Sequence, residues 1–253
     1  MIEELSYQGL AILAAAGVLA TIVNVMAGGG GMIVLPALMA LGLPADVANG
    51  TYRLGVVTQS IAGAAALNRA GKLETSSIVP ILIPTISGAA AGALLATWIP
   101  RELLKPIMLT TMIFMAGLIV FRKRTLIAPE GPALRPTEAP RSFLGLFFAG
   151  VYGGFIQAGV GFLLLGVLVG TLRHGLVTAN ALKLVVTLAF GVVALGIFTW
   201  AGLVSWTPAI VLAVASIVGA RLGVKLMLKV PIAGLRWFVF TCVVATSIVA
   251  WLR

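Results

Sequence analysis

The residues of this chain best suited to chemistry are glycines, amides and cations gathered around two points. The first group holds Asn24, the run Gly28, Gly29, Gly30 and Gly31, and then Asn49, Thr51, Tyr52 and Arg53. The second holds Gln157, Gly159 and Gly161, followed by Asn180 and Lys183. Glycines relieve the Cβ clash where a chain reverses and expose N–H groups at the start of the next helix. Such N–H groups, with the positive end of the helix dipole, favour an anion. Asn24 and Gln157 stand four residues before Gly28 and Gly161 and offer amide donors. Asn49 with Arg53, and Asn180 with Lys183, place an amide near a cation, a suitable outer shell for an oxyanion.

Plainer uses exist for the same residues. The glycine run also suits a flexible turn between two full helices, and Asn24 and Gln157 suit bonds across helices. Asn49 and Asn180, heading apolar runs, suit helix caps. Arg53 and Lys183 suit cations that snorkel to an interface. His174 follows Arg173 and reads as a solvated loop residue.

The elements that must position these groups belong to a bilayer. Of 253 residues, 60% are hydrophobic and 9% charged, and the mean hydropathy is +1.14. A soluble domain carries roughly a quarter charged residues. The acids Glu3, Glu4, Asp46, Glu74, Glu102, Glu130 and Glu138 all sit near segment ends or in loops. A cation carrier normally keeps a carboxylate inside the membrane, so the cargo is expected to be anionic or neutral. The net charge of +10 comes from basic residues scattered between apolar runs. That pattern suits topology signals and anionic lipid headgroups, and no nucleic-acid partner is expected. The acidic start Met1-Ile2-Glu3-Glu4 lacks the basic region of a cleaved signal peptide and is expected to be retained. Cys242 is the lone cysteine and reads as a packing residue. No nucleotide-binding or metal-binding motif is present, and no cofactor is expected.

A shift of 131 residues brings two halves into register. Ala48-Asn49 falls on Ala179-Asn180, Gly88 and Gly92 on Gly219 and Gly223, Pro100 on Pro231, and Lys105 on Arg236. A slip of two more residues places Gly17 on Gly150, Asn24 on Gln157 and Gly28 on Gly161. Each half reads as a glycine-broken stretch followed by three runs near spanning length. These are roughly 52–69, 77–98 and 103–121, then 183–200, 207–224 and 233–252. Gly88 with Gly92 and Gly219 with Gly223 suit close helix packing. Trp98, Trp200, Trp206, Trp237 and Trp251 lie near segment ends, as interfacial aromatics do. The expected domains are a first membrane repeat over 1–121, a basic, proline-rich cytoplasmic linker over 122–141, and a second membrane repeat over 142–253.

Loop charges decide between topologies. If each broken stretch crosses once, the linker side holds 8 Lys and Arg and the opposite side 9. If each stretch returns, the linker side holds 13 and the opposite side 4. The positive-inside rule selects the second arrangement. The expected fold is an all-α membrane protein of two inverted-topology repeats, each a glycine-broken helical hairpin plus three transmembrane helices. The hairpin's two arms suit either short full helices or re-entrant half-helices. Inverted copies would bring their breaks together near the midplane, where irregular backbone is tolerated only inside protein or along a watery cavity.

The glycine run followed by Pro36, the Leu-Gly-Leu-Pro loop at 41–44, and Ala48-Asn49-Gly50-Thr51 resemble the sulfite exporter TauE/SafE family. Gly150, Gly153-Gly154, Gly161 and Ala179-Asn180 resemble that family's second repeat. The resemblance implies a multi-pass permease of the bacterial inner membrane, moving sulfite, sulfoacetate or a related organosulfur anion. Tyr52-Arg53 departs from the family pattern, in which a small residue follows the threonine. The expected activity is therefore secondary transport of a small anionic substrate by alternating access, in contact with membrane lipids and with a homo-oligomer open. A non-transporting scaffold or sensor subunit is the alternative. An intramembrane enzyme is disfavoured, because one His, one Cys and no buried acid pair supply little catalytic machinery.

Overall fold

The computed structural model describes residues 7–121 and 129–229, together with Thr241. Among the described residues every regular element is helical, with no strand. Nine α-helices follow in order: α1 (Tyr7–Ala27), α2 (Gly31–Ala40), α3 (Ala45–Arg69), α4 (Ile78–Trp98), α5 (Arg101–Phe121), α6 (Arg141–Phe155), α7 (Val160–Gly170), α8 (Leu176–Trp200) and α9 (Trp206–Met227). A 3-10 turn, Pro136–Glu138, lies in the linker before α6. The run 233–252, with Pro231, Arg236, Trp237, Cys242 and Trp251, lies outside the described residues.

Four of these helices are long and apolar enough to cross a membrane: α1 over Tyr7–Met26, α4, α8 and α9. Helices α2 and α7 have 10 and 11 residues. At 1.5 Å per residue they reach about 15 Å, half of a hydrocarbon core. The glycine breaks therefore separate a longer helix from a half-length one, and the turn between two full helices is set aside. Helix α3 has 25 residues yet is not among the apolar span candidates. It carries Asp46, Asn49, Thr51, Arg53, Gln59 and Ser60, all buried, and packs against α8 and α9. Protein surrounds its polar residues, so the helix tolerates them.

Helices α3 and α8 begin at Ala45 and Leu176, seven residues before the expected starts at 52 and 183. Pro44, whose fixed φ suits the residue before a helix, and Gly175 occupy the N-cap positions. Asn49 and Asn180 are consequently one turn inside their helices, and the expected capping role is overturned.

The packing exchanges elements between halves. Helix α4 lies chiefly on α6, and α9 lies on α1 and α3. Gly88 and Gly92 let α4 approach the carbonyls of Phe147 and Val151 on α6. Gly219 and Gly223 do the same for α9 against Val18 and Ile22 on α1. Both glycine pairs thus serve close packing within the chain.

Polar contacts tie loops together at each end. Glu74 Oε2 lies 3.2 Å from His174 Nδ1, and the Leu134 N–H of the linker donates to the Leu172 carbonyl at 2.8 Å. Elsewhere, Arg101 Nε donates to Asp46 Oδ2 at 2.6 Å, and the Ser205 N–H donates to Thr51 Oγ1 at 3.0 Å. His174 is 1% exposed, so its expected solvation is overturned: the turn after α7 folds it beneath Glu74. Trp98 and Trp200 are exposed at the ends of α4 and α8, and Trp206 begins α9 with half of its surface exposed.

Candidate functional site

The two breaks meet. Gly28 lies against Gly161 and the Phe162 nitrogen so closely that a Cβ on either glycine would overlap the other's backbone. Gly31 packs against Ala158 and the Tyr52 ring, and Gly159 against the Met32 side chain. Gly28 (φ +83°) and Gly159 (φ +78°) occupy the left-handed region, where a side chain is disfavoured. Gln157 also adopts it, at φ +68°, although it carries a long side chain. A conformation of this kind costs on the order of 1–3 kcal/mol and persists where surrounding contacts hold it.

One such contact comes from Arg53. Its Nη1 donates to the Gly153 carbonyl at 2.5 Å and to Gln157 Oε1 at 2.8 Å. Its Nη2 donates to the Gly154 carbonyl at 2.6 Å and to Asn49 Oδ1 at 3.2 Å. Asn49 Nδ2 completes the set by donating to the Phe155 carbonyl at 2.6 Å. Three of the last carbonyls of α6, which have no partner within their helix, are thus satisfied from α3. The Phe198 ring lies 4.9 Å from the guanidinium carbon, a favourable cation–π distance.

Lys183 of α8 plays a comparable part at the end of α1, where the Asn24 carbonyl also accepts from the Gly28 N–H at 2.9 Å. Its ammonium donates to the Asn24 carbonyl at 2.9 Å, the Val25 carbonyl at 3.2 Å and Asn180 Oδ1 at 2.6 Å. Asn180 Nδ2 is held by the Leu176 carbonyl at 3.0 Å. Asn24 also uses its side chain within the first break, where Oδ1 accepts from the Gly30 N–H at 3.3 Å. Each broken helix therefore ends on a cation supplied by the other half. A cation at a helix C-terminus complements the negative end of the dipole.

Arg53 is 0% and Lys183 1% exposed. Their expected snorkelling is overturned, because the carbonyls freed by the breaks bind them inside the bundle. Among the described residues neither has a carboxylate partner. The buried acid Asp46 is engaged by Arg101 and by the Val47 N–H at 2.9 Å. Among the described residues no group of His, Cys, Asp and Glu is arranged to hold a metal.

The structure brings Asn24, Gly28, Gly30, Gly31, Asn49, Tyr52, Arg53, Gln157, Gly159, Gly161, Asn180 and Lys183 to the crossing, and Gly29 lies within the first break. Thr51 is turned away toward the loop before α9, where it holds Ser205. Two residues on α3 escaped the reading of the sequence. Gln59 and Ser60 are both 0% exposed, and both amide atoms of Gln59 and the Ser60 hydroxyl have no hydrogen-bond partner. Arg53 Nε is likewise unpartnered. Their signal in the sequence is a neutral polar pair in the middle of an apolar run. Buried polar atoms without partners are uncommon enough to require a reason.

A sequence profile of the sulfite exporter TauE/SafE family matches residues 13–250. Probable membrane transporter proteins are similar over most of their length. One from Haemophilus influenzae is 30% identical over 87% of this chain and 85% of its own. ORF9 of Sinorhizobium is 28% identical over 87% and 84%, and YfcA of Escherichia coli K12 is 27% identical over 87% and 81%. Four apolar spans, a pair of glycine breaks in contact, and a profile match across nearly the whole chain agree: this integral membrane protein belongs to the sulfite exporter TauE/SafE family of membrane transporters.

Proposed function

We propose that the protein is a secondary transporter of the bacterial inner membrane that moves a small sulfur-containing anion, such as sulfite, sulfoacetate or a related organosulfur anion, by alternating access. The observation that carries this reading is the pair Arg53 and Lys183, buried at the two breaks without a carboxylate between them. A buried charge without a counter-charge is costly. The helix C-termini supply only about half a negative charge each, so positive charge remains for a mobile anion to neutralise. The N-terminal ends of α2 and α7 add N–H donors of the same sign beside it. A cation would meet repulsion from every one of these groups.

Contact between Gly28 and Gly161 leaves no space for an anion between them. Occupancy of that point requires the breaks to part, and this movement is the gating step of the proposal. The two halves are read as inverted repeats. In a single-crossing arrangement the 70–77 and 171–175 loops lie on opposite faces of the membrane. The contact of Glu74 with His174 and the bond between Leu134 and Leu172 support the returning arrangement, with both loops beside the linker. Burial of Arg53 and Lys183 removes one cation from each side of the loop count and leaves twelve against three. The bias persists.

The test is flux in proteoliposomes with sulfite, sulfoacetate and sulfate, a monovalent cation as control, and an imposed pH gradient. Protein-dependent movement of at least one sulfur anion, lost in Arg53→Ala, is the expected result. An absence of flux for every sulfur anion in protein that is folded would sink the assignment of cargo.

A further inference from the structure

A groove of about 630 Å³ runs between the C-terminal halves of α3 and α9, away from the crossing of the breaks. Its walls are Ile61, Ala62, Ala65 and Ala66 on one side and Ile217, Val224 and Leu228 on the other. Thr58 closes the inner end, where its hydroxyl donates to the Ala213 carbonyl of α9 at 3.2 Å. Arg69, Arg221 and Lys225 stand toward the outer end, and among the described residues no acid lines the groove. All three cations are exposed, as are Ile61 and Leu228.

The dimensions fit one leaflet. From Thr58 to Arg69 is eleven residues, a rise of about 16 Å along α3. Half of a bilayer's hydrocarbon core is about 15 Å. The trench is apolar over the depth of a leaflet and cationic where the headgroups begin. Cations at the ends of α3 and α9 also complement the helix dipoles, but that role needs no apolar trench beneath them. Alanines at 62, 65 and 66 keep the floor low, and a larger residue would fill it.

We propose that this groove binds an anionic phospholipid, with an acyl chain lying along the alanine floor and the phosphate on Arg69, Arg221 and Lys225. The occupant is assigned by charge complementarity together with length: a free anion has no use for the trench, and a zwitterionic lipid brings a cation of its own that offsets its phosphate and adds no net negative charge beside the three cations. The inference does not depend on which cargo the protein moves.

The full chain, purified in a neutral detergent, is titrated with phosphatidylglycerol, phosphatidylcholine or inorganic phosphate while thermal unfolding and lipid retention by native mass spectrometry are read. Phosphatidylglycerol is expected to raise the unfolding temperature saturably, with an apparent affinity about tenfold or more above that of phosphatidylcholine. Inorganic phosphate is expected to have no effect. The variant Arg69→Gln/Arg221→Gln/Lys225→Gln should lose the preference for phosphatidylglycerol. Ala66→Leu, which keeps all three charges and fills the floor, should weaken retention of the lipid, and it decides the matter if the triple variant fails to fold. Equal responses to the two lipids, a response to phosphate alone, or unaltered retention in Ala66→Leu would each overturn the proposal.

Discussion

Arg53 and Lys183 show how a buried cation serves two ends. Each binds backbone carbonyls at a helix break, and each leaves positive charge where an anion is proposed to pass. Lysine has three donors and cannot replace the four bonds made by the Arg53 fork. Arg53→Lys is expected to fold and to transport at least about tenfold more slowly, as measured by flux in proteoliposomes. Lys183→Met orphans the Val25 carbonyl and the Asn180 oxygen, while the Asn24 carbonyl keeps the Gly28 N–H, at about 1–3 kcal/mol for each unsatisfied group. At roughly 2–4 °C per kcal/mol for a chain of this size, the unfolding temperature should fall by several degrees. Gln59 invites the opposite outcome. Its amide is buried without partners, so Gln59→Leu is expected to hold or raise stability while transport falls. Undiminished transport in that variant would mean that the amide has no part in the path.

His174 gives a pH dependence of defined sign. Burial pushes its pKa below the ordinary 6.5, and the Glu74 carboxylate pulls only part of the way back. The folded state therefore binds the proton less readily than the unfolded chain. Stability is complete above about pH 6.5 and is lost as the pH falls from there toward the folded-state value. Unfolding temperatures at pH 7.5 and 5.5 should differ for the parent protein, and the difference should shrink in His174→Gln.

In the proposed mechanism the functional weight falls on the half-length helices. Helices α2 and α7 are too short to span, and their first residues pack on the opposite break through glycine. Gly28→Ala is expected to be severe: a left-handed alanine costs roughly 1–2 kcal/mol, and its Cβ also enters the backbone at Gly161. Gly42 is the control, with φ +98° and nothing within 4 Å of a Cβ. Gly42→Ala should show the conformational cost alone and retain transport. Around α2 and α5 the core holds Met32, Met39, Met108, Met112 and Met115, all buried. Methionine is flexible and fills irregular gaps, which suits the surroundings of a helix that shifts in the proposed gating step.

At the scale of the molecule, elements of the two halves interleave. Helix α4 rests on α6 and α9 on α1, so neither half buries its glycine faces alone. The inverted arrangement makes a prediction about sides. In a Cys242→Ser background, Lys72→Cys and Arg173→Cys should react with a membrane-impermeant maleimide from the same face, and Ser205→Cys from the other. Labelling of positions 72 and 173 from opposite faces would rule the arrangement out.

The sequence by itself determined that this is a helical membrane protein with two glycine breaks and no acid within its apolar spans. Hydropathy and the conformational freedom of glycine act locally, and they are legible residue by residue. It also marked the polar residues near the breaks, but it placed Asn49 and Asn180 at helix starts because the polar turn before each apolar run resembles a cap. Only the tertiary structure decided what those residues meet. The carbonyls that hold Arg53 are 100 and 101 residues away in the chain, and those that hold Lys183 are 159 and 158 away. No local pattern says which carbonyl an inward-facing cation will find, and two cations whose sequence surroundings suit snorkelling surface charges are used by the fold as internal caps.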